Sequence, residues 1–139
     1  MINKQDLPTE INDFIIRERE KRQAIKKMDK SKHLIKAPYL VVVLEASTAH
    51  VTEGDMQLLT HWVSACPDPE FIVYEYSEGF FIHISCDREI LDDENKAAKE
   101  RGISQELINL RVEAFKCGAK YLQLDGDGSV YEELPQFDW

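Results

Sequence analysis

YLVVVL at residues 39–44 decides the fold of this chain, and the polar loop ASTAH at residues 46–50 follows it directly. Six consecutive apolar residues rich in valine predict a strand from about Pro38 to Glu45. Because successive side chains point to opposite faces, we expect both faces of this strand to be covered and the strand to be central. The chain then passes through two hydroxyls and an imidazole, at the position where α/β chains commonly keep polar chemistry.

The segments that follow alternate between helix and strand signals. Thr52 begins a capping box that predicts a helix to about Ala65. FIVYEY (71–76) and FFIHIS (80–85) predict a hairpin around Glu78-Gly79. Ser104 caps a helix that reaches Cys117, and YLQL (121–124) with residues 130–134 predicts a short C-terminal hairpin.

This order predicts an α+β fold on the ferredoxin-like βαββαβ plan. We expect helices on one face of the sheet, an extra N-terminal helix and the short C-terminal hairpin. The domain division that follows is a basic N-terminal helical arm and linker at residues 1–36 and an acidic α+β domain at residues 37–139.

Charge divides the chain at the same place. The net charge of −9 combines +4 in residues 1–36, from ten Lys/Arg and six Asp/Glu, with −13 in residues 37–139, from seven Lys/Arg and twenty Asp/Glu. An acidic body repels phosphate backbones, which argues against direct nucleic-acid binding by the main domain. The basic arm is expected to be a solvated helix, with a docking arm or a homodimer contact as alternatives.

Three features of the sequence indicate the cellular compartment of the protein. The longest apolar run is far shorter than the roughly 20 residues that cross a bilayer, so no membrane association is expected. Polar residues follow Met1, so no signal peptide is expected. The three widely spaced cysteines are typical of reduced core thiols in a cytoplasmic protein.

The polar loop supplies a candidate pocket. An imidazole beside a hydroxyl is how such a nucleophile is activated, but no Gly-x-Ser-x-Gly elbow is present, so no catalytic residue is assigned. The alternatives are that the hydroxyls cap the turn while the histidine packs over the sheet edge, or that the loop and the next helix hold a small anion or a carboxylate. The candidate pocket residues are Ser47, Thr48, His50, Thr52, Asp125 and Asp127.

No metal site and no cofactor are predicted. None of the histidine and cysteine spacings matches structural zinc, and no glycine-rich phosphate loop occurs. Residues 125–129 (DGDGS) resemble the start of a calcium loop, but Val130 and Gln136 stand where glycine and glutamate are required. A tight turn is the expectation there.

The hairpin places four rings on one face of the sheet. Our register sets Tyr74 opposite His83 and Tyr76 opposite Phe81. RNA-binding ferredoxin-like domains stack bases on such a face, but the basic residues and glycines of their motif are missing. Packing under a helix is the expectation; if the face is exposed, a protein partner fits better than RNA.

Two stretches together, ASTAH after the apolar strand and YLQLD (121–125) with the ending YEELPQFDW (131–139), resemble a family of small uncharacterised proteins carried by bacterial phages and plasmids. The likeness covers roughly residues 38–139. The resemblance implies accessory proteins of mobile elements, expressed in the bacterial cytoplasm and acting on host machinery.

The leading hypothesis is therefore a non-enzymatic accessory protein that binds a host or element-encoded protein, as an acidic nucleic-acid mimic or as a modulator of host defence. One alternative is a small enzyme or ligand sensor that uses Ser47, Thr48 and His50. The other is a scaffold that dimerises through its N-terminal helix.

Overall fold

The computed structural model describes residues 34–139, and the helix predicted for the N-terminal arm lies outside them. All the elements below belong to one compact unit, Leu40–Trp139. In chain order they are β1 (Val43–Ser47), a 3-10 turn (Thr48–His50), α1 (Glu53–Ala65), β2 (Val73–Tyr76), β3 (Gly79–His83), α2 (Arg88–Glu100), α3 (Gln105–Lys116) and β4 (Tyr121–Asp125).

The four strands form one mixed sheet in the order β1-β4-β3-β2. β1 runs parallel to β4, and the other neighbouring pairs are antiparallel. The prediction of an α+β fold with ferredoxin-like element order is confirmed. Relative to that expectation, α2 is an added helix between the hairpin and α3, and β4 lies between β1 and β3.

The core lies on one face of the sheet. Alternate residues of β3 and β4 are buried, and the residues between them are only half-buried. The buried set joins inward-facing strand residues to all three helices, as expected for helices on one face. Its members include Ala46, Leu59, Trp62, Phe71, Phe80, Ile82, Leu91, Ala98, Leu107, Leu110, Ala114, Leu122 and Leu124.

The prediction that the first strand is central is wrong. β1 is an edge strand that pairs with β4 alone among the residues the structure describes. The apolar residues before it, Leu40, Val41 and Val42, are exposed. Continuous apolarity indicates that a strand needs cover, but it does not say whether the rest of the domain supplies that cover.

The helices begin at polar residues that satisfy free backbone N–H groups. Thr52 and Asp55 form the capping box expected for α1, each side chain accepting from the other residue's N–H. Asp87 caps α2 and Ser104 caps α3 by accepting from backbone N–H groups of the first turn. The carboxylate of Asp55 is fully buried and also accepts from the N–H and hydroxyl of Ser104. One carboxylate therefore fastens two helix starts together.

The predicted C-terminal hairpin is wrong, because residues 126–139 contain no strand. β4 is already flanked by β1 and β3, so neither of its edges is free for a further strand. The segment instead crosses the end of β1, where the N–H of Ser47 donates to the carbonyl of Ser129 at 2.8 Å. Gly128 permits this crossing, since a Cβ there would lie 2.7 Å from the carbonyl oxygen of Ala46.

Candidate functional site

The loop after β1 is held by its own hydrogen bonds. Ser47 caps the 3-10 turn, and its Oγ accepts from the N–H of Ala49 at 3.1 Å. The turn delivers His50 into the interior, where only 1% of the residue is exposed. The hydroxyl of Thr48 has no hydrogen-bond partner among residues 34–139.

Both ring nitrogens of His50 are occupied. Its Nδ1 lies 2.8 Å from the carbonyl oxygen of Pro135, and the N–H of Tyr131 donates to Nε2 at 2.8 Å. A carbonyl can only accept and a backbone N–H can only donate, so this geometry assigns the donor role to Nδ1 and the acceptor role to Nε2. The lone pair that a general base would use is therefore engaged by Tyr131.

Two further hydrogen bonds join the same loop to the end of the chain. The N–H of Phe137 donates to the carbonyl of Ala49 at 2.7 Å, and the indole N–H of Trp139 donates to the carbonyl of Val51 at 3.0 Å. We call residues 47–51 together with residues 129–139 the C-terminal clasp. The ASTAH loop and the YEELPQFDW ending are thus two halves of one structural unit.

The carboxylates of the candidate pocket lie at the end of β4. Asp125 is the register partner of Ser47, so the carboxyl ends of the two parallel strands lie side by side. Its Oδ2 accepts from the phenol of Tyr76 at 2.6 Å, and its Oδ1 accepts from the N–H of Asp127. Burial, more than the neighbouring carboxylate, raises the pKa of the Tyr76 phenol.

The six candidate residues therefore share one end of the sheet without forming a nucleophile–base pair. Ser47 and Asp125 are neighbours, His50 is turned into the clasp, and Thr52 is spent on capping α1. No group of three or more histidine, cysteine or acidic residues that could hold a metal occurs among the described residues.

The opposite side of the sheet from the helices is an open face. It has three rows that run across the strands from β1 to β2. The rows are Val43, Tyr121, His83 and Ile72; Glu45, Gln123, Phe81 and Tyr74; and Ser47, Asp125, Gly79 and Tyr76. Ser47 is the sole buried residue of this set, so no helix of residues 34–139 covers the face.

Tyr74, Tyr76, Phe81 and His83 share this face, although the pairing differs from our register. Tyr74 lies opposite Phe81 and Tyr76 opposite Gly79. The expectation that a helix covers these rings is wrong within the described part of the chain, and Tyr74 is 55% exposed. Ring centroids lie 5.0 Å apart for Tyr76 and Phe81 and 6.4 Å apart for Phe81 and Tyr121.

Tyr121 and Gln123 belong to the open face and were not predicted. The amide of Gln123 donates to the phenol oxygen of Tyr76 at 3.0 Å, and the ring of His83 lies 5.8 Å from that of Tyr121. Alternation in YLQL could have identified both residues, because Leu122 and Leu124 mark the buried face. Ring contacts connect Tyr76, Phe81, Tyr121 and His83 in series, and Tyr74 lies beside them as the register partner of Phe81. We call these five residues the ring patch.

Gly79 allows the polar end of this patch to form. A Cβ at this position would overlap the carbonyl oxygen of Leu124, so only glycine lets β3 approach β4 so closely. Without a side chain at Gly79, the phenol of Tyr76 on β2 reaches Asp125 on β4 across the intervening strand.

A groove of about 690 Å³ lies on the helix side of β1. Its walls are α3 and the C-terminal segment, and none of the candidate pocket residues lines it. The apolar side chains in it are Leu44, Ile108, Leu110, Val112 and Leu134.

Arg111 was also missed by sequence reasoning. Its guanidinium is fully buried, lies 4.0 Å from the ring of Phe71, and donates to Glu94, to Asn95 and to the carbonyl of His83. Burial lowers the pKa of this group. These contacts join α2, α3 and β3, so we assign Arg111 a structural role. In the sequence, Arg111 lies on the same helical stripe as the apolar residues Leu107 and Ala114, and this position could have identified it as buried.

The three cysteines are free thiols, but two are not in the core as expected. Cys86 and Cys117 are exposed, and Cys66 is half-buried at the end of α1. The guanidinium of Arg101, 3.5 Å from the Cys66 sulfur, lowers the pKa of that thiol.

Comparison with known families places the chain. A model described as the C-terminal domain of a family of unknown function, DUF5983, matches residues 43–139. The chain therefore belongs to this family. No curated protein and no solved structure matches it significantly. No helix within residues 34–139 has the length and apolarity needed to span a bilayer.

Proposed function

We propose that this member of a family of unknown function is a non-enzymatic binding protein, which docks a basic surface of another protein against its open sheet face. In the setting that the motif resemblance implies, it is an accessory protein of a mobile genetic element in the bacterial cytoplasm. The single observation that carries the proposal is the ring patch, which no described helix covers.

The patch has the composition of a protein-binding surface. Tyrosine and phenylalanine are enriched at the centres of interfaces, where they bury much area and lose few rotamers on binding. The rings of Tyr76, Phe81 and Tyr121 already contact one another in series, so little side-chain entropy remains to be lost. A sheet also holds these rings more rigidly than a loop would.

Charge favours a basic partner over an acidic one. Residues 37–139 have a net charge of −13, and Glu45 and Asp125 lie on the open face itself. Such a field accelerates encounter with a cationic surface and repels nucleic acid. Many basic protein surfaces are themselves nucleic-acid-binding sites, so the acidic domain is a candidate mimic of nucleic acid.

The test compares the full chain with two variants of matched exposure. Tyr74→Ser removes the most exposed ring of the patch, whereas Ile90→Ser removes an aliphatic side chain of similar exposure on α2. Each protein is used to capture partners from a bacterial lysate at low and high salt. A captured protein is then purified and its affinity for all three chains is measured by calorimetry.

We expect a basic partner that binds the wild type and Ile90→Ser equally. Tyr74→Ser should weaken binding by about 2 kcal/mol, or roughly thirtyfold, as for an interface hot spot. High salt should also weaken binding strongly. A partner whose affinity ignores both salt and Tyr74 would contradict the proposal, as would turnover of a small molecule that depends on His50.

If the protein is a nucleic-acid mimic, its purified partner should bind DNA or RNA, and the full chain should displace that nucleic acid. A gel-shift competition measures this directly. Partner binding without displacement of nucleic acid would support the docking surface and contradict the mimicry.

A further inference from the structure

The outer edge of the sheet beside β1 is sealed over only part of its length. The N–H of Ser47 donates to the carbonyl of Ser129, and the phenol of Tyr131 donates to the carbonyl of Glu45 at 2.6 Å. The C-terminal segment therefore occupies the outward N–H of Ser47 and the outward carbonyl of Glu45. Sealing of this kind is how proteins protect an edge strand from pairing with other chains.

The stretch just before Glu45 is not sealed. Val42 accepts from the N–H of Lys120, so its backbone faces β4. Because backbone groups alternate along a strand, those of Val41 and Val43 face away from β4, as Glu45 and Ser47 do. Among residues 34–139 no backbone group pairs with this side of Val41 or Val43.

The same stretch has aliphatic side chains where an exposed edge normally has charge or proline. Residues 40–43 read LVVV, and all four are exposed, Val41 by 58%. An aliphatic and unsealed edge is a template for one more strand. The edge is also only about four residues long, so the added strand must be short.

We infer that residues 40–43 pair with the same residues of a second copy of this chain, antiparallel and across a two-fold axis at Val42. Two copies supply identical aliphatic strands, and a two-fold axis lets each residue meet its counterpart. Valine pairs of this kind are favourable across antiparallel strands. The inference stands on the edge formed by residues 40–42 and the first residue of β1, Val43, and it does not depend on the proposed function.

The partly sealed residues restrict the register. The carbonyl of Glu45 and the N–H of Ser47 are taken, whereas both outward groups of Val41 and of Val43 are without a partner among residues 34–139. We therefore place the hydrogen-bonded exchange between Val41 of one copy and Val43 of the other. Val42 then faces its own counterpart in a non-hydrogen-bonded pair, with Cα atoms about 4.5 Å apart. Antiparallel edge pairing makes one continuous eight-stranded sheet, with both open faces on the same side.

This arrangement has a consequence for binding. Two ring patches side by side would engage a dimeric or repeated basic partner through two contacts at once. Binding through two linked sites exceeds the affinity of either site alone, provided the spacing fits.

The test is the mass of the full chain in solution, measured by analytical ultracentrifugation over a range of concentrations. Val41→Lys places a charge in the paired edge, and Val130→Lys is the matched control because Val130 is 53% exposed in the C-terminal segment. Val41→Pro removes one outward N–H without altering the ladder to β4. We expect a wild-type dimer whose dissociation constant rises at least tenfold in both Val41 variants and stays unchanged in Val130→Lys.

A cross-link tests the register. In a background with Cys66, Cys86 and Cys117 replaced by serine, Val42→Cys should form an intermolecular disulfide, since the Cα separation suits one. Val130→Cys should not. A monomer at every concentration overturns the inference, and so does a dimer that tolerates either Val41 variant or one that fails to cross-link through position 42.

Discussion

His50 is the side chain whose removal should reveal most about this fold. In His50→Ala the carbonyl of Pro135 and the N–H of Tyr131 both lose their partner, each now at 2.8 Å from an imidazole nitrogen. Two hydrogen bonds contribute about 1 kcal/mol each, and a buried N–H left without a partner costs about 1–3 kcal/mol. The ring is also almost fully buried, so its loss leaves a void. Together these effects predict a loss of at least about 3 kcal/mol in the free energy of unfolding.

Two further variants separate the hydrogen bonds. The amide of His50→Asn can stand where Nδ1 stands and donate to Pro135, whereas the longer His50→Gln can place its oxygen where Nε2 stands and accept from Tyr131. Each should recover roughly half of the lost stability. Urea denaturation of the full chain and its variants measures the free energy, with equal slopes as the check on two-state behaviour.

Hydrogen exchange provides the local readout for the same variants. Release of the clasp should accelerate exchange at the amides of Tyr131 and Phe137 before it affects β3 and β4. Two results would contradict a stabilising role of the clasp. One is a free energy of unfolding for His50→Ala within about 0.5 kcal/mol of the wild-type value, and the other is that neither amide variant is more stable than the alanine variant.

Three other predictions address separate parts of the fold. Replacing Asp55 by alanine should lower the free energy of unfolding by about 2–4 kcal/mol, because the buried carboxylate accepts from Thr52 and Ser104 at two helix starts. The exposed Asp92→Ala is the control in the same urea experiment. Equal losses in the two variants would contradict this role of Asp55. Gly79→Ala should lower the free energy of unfolding by more than about 2 kcal/mol, because its Cβ would overlap the carbonyl of Leu124. Gly54→Ala is the control, and it should be neutral or stabilising because its Cβ meets nothing closer than 3.7 Å. The pKa of the Tyr76 phenol is raised in the folded state, mainly by burial and next by Asp125. The stability that this shift contributes is therefore complete below the ordinary phenol pKa of about 10 and is lost as the pH rises through the pKa of the folded state. Unfolding free energies measured between neutral and alkaline pH should therefore fall less steeply in Tyr76→Phe than in the wild type, and identical slopes would refute the assignment.

Short-range signals predicted α1, α3 and the hairpin, but not α2, because the groups that determine these elements are close in sequence. The capping box of α1 joins residues three apart, and Ser104 caps α3 over the same distance. The turn of the hairpin falls at Ser77 and Glu78, one residue earlier than expected. The resulting shift of two in the pairing leaves every ring on its predicted face, because side chains alternate with a period of two.

Local sequence patterns could not predict the long-range contacts. His50 meets Tyr131 and Pro135 across 81 and 85 residues of sequence, and no local pattern specifies such a pair. The position of β1 was missed for a related reason. Hydrophobic periodicity reports which side chains need cover, whereas strand order depends on which neighbour closes the sheet.

His50, the residue that most resembles a catalytic base, has both ring nitrogens already in use. His50 holds a donor and an acceptor from the C-terminal segment, and Ser47 accepts from its own turn. A group with its hydrogen-bonding capacity filled inside the protein has none to offer a ligand until the clasp opens. The rings of the open face are different, because they are half-exposed and contact mainly one another. The two motifs behind the family resemblance therefore stabilise the end of the sheet, and we place recognition on the face and edge that this end holds rigid.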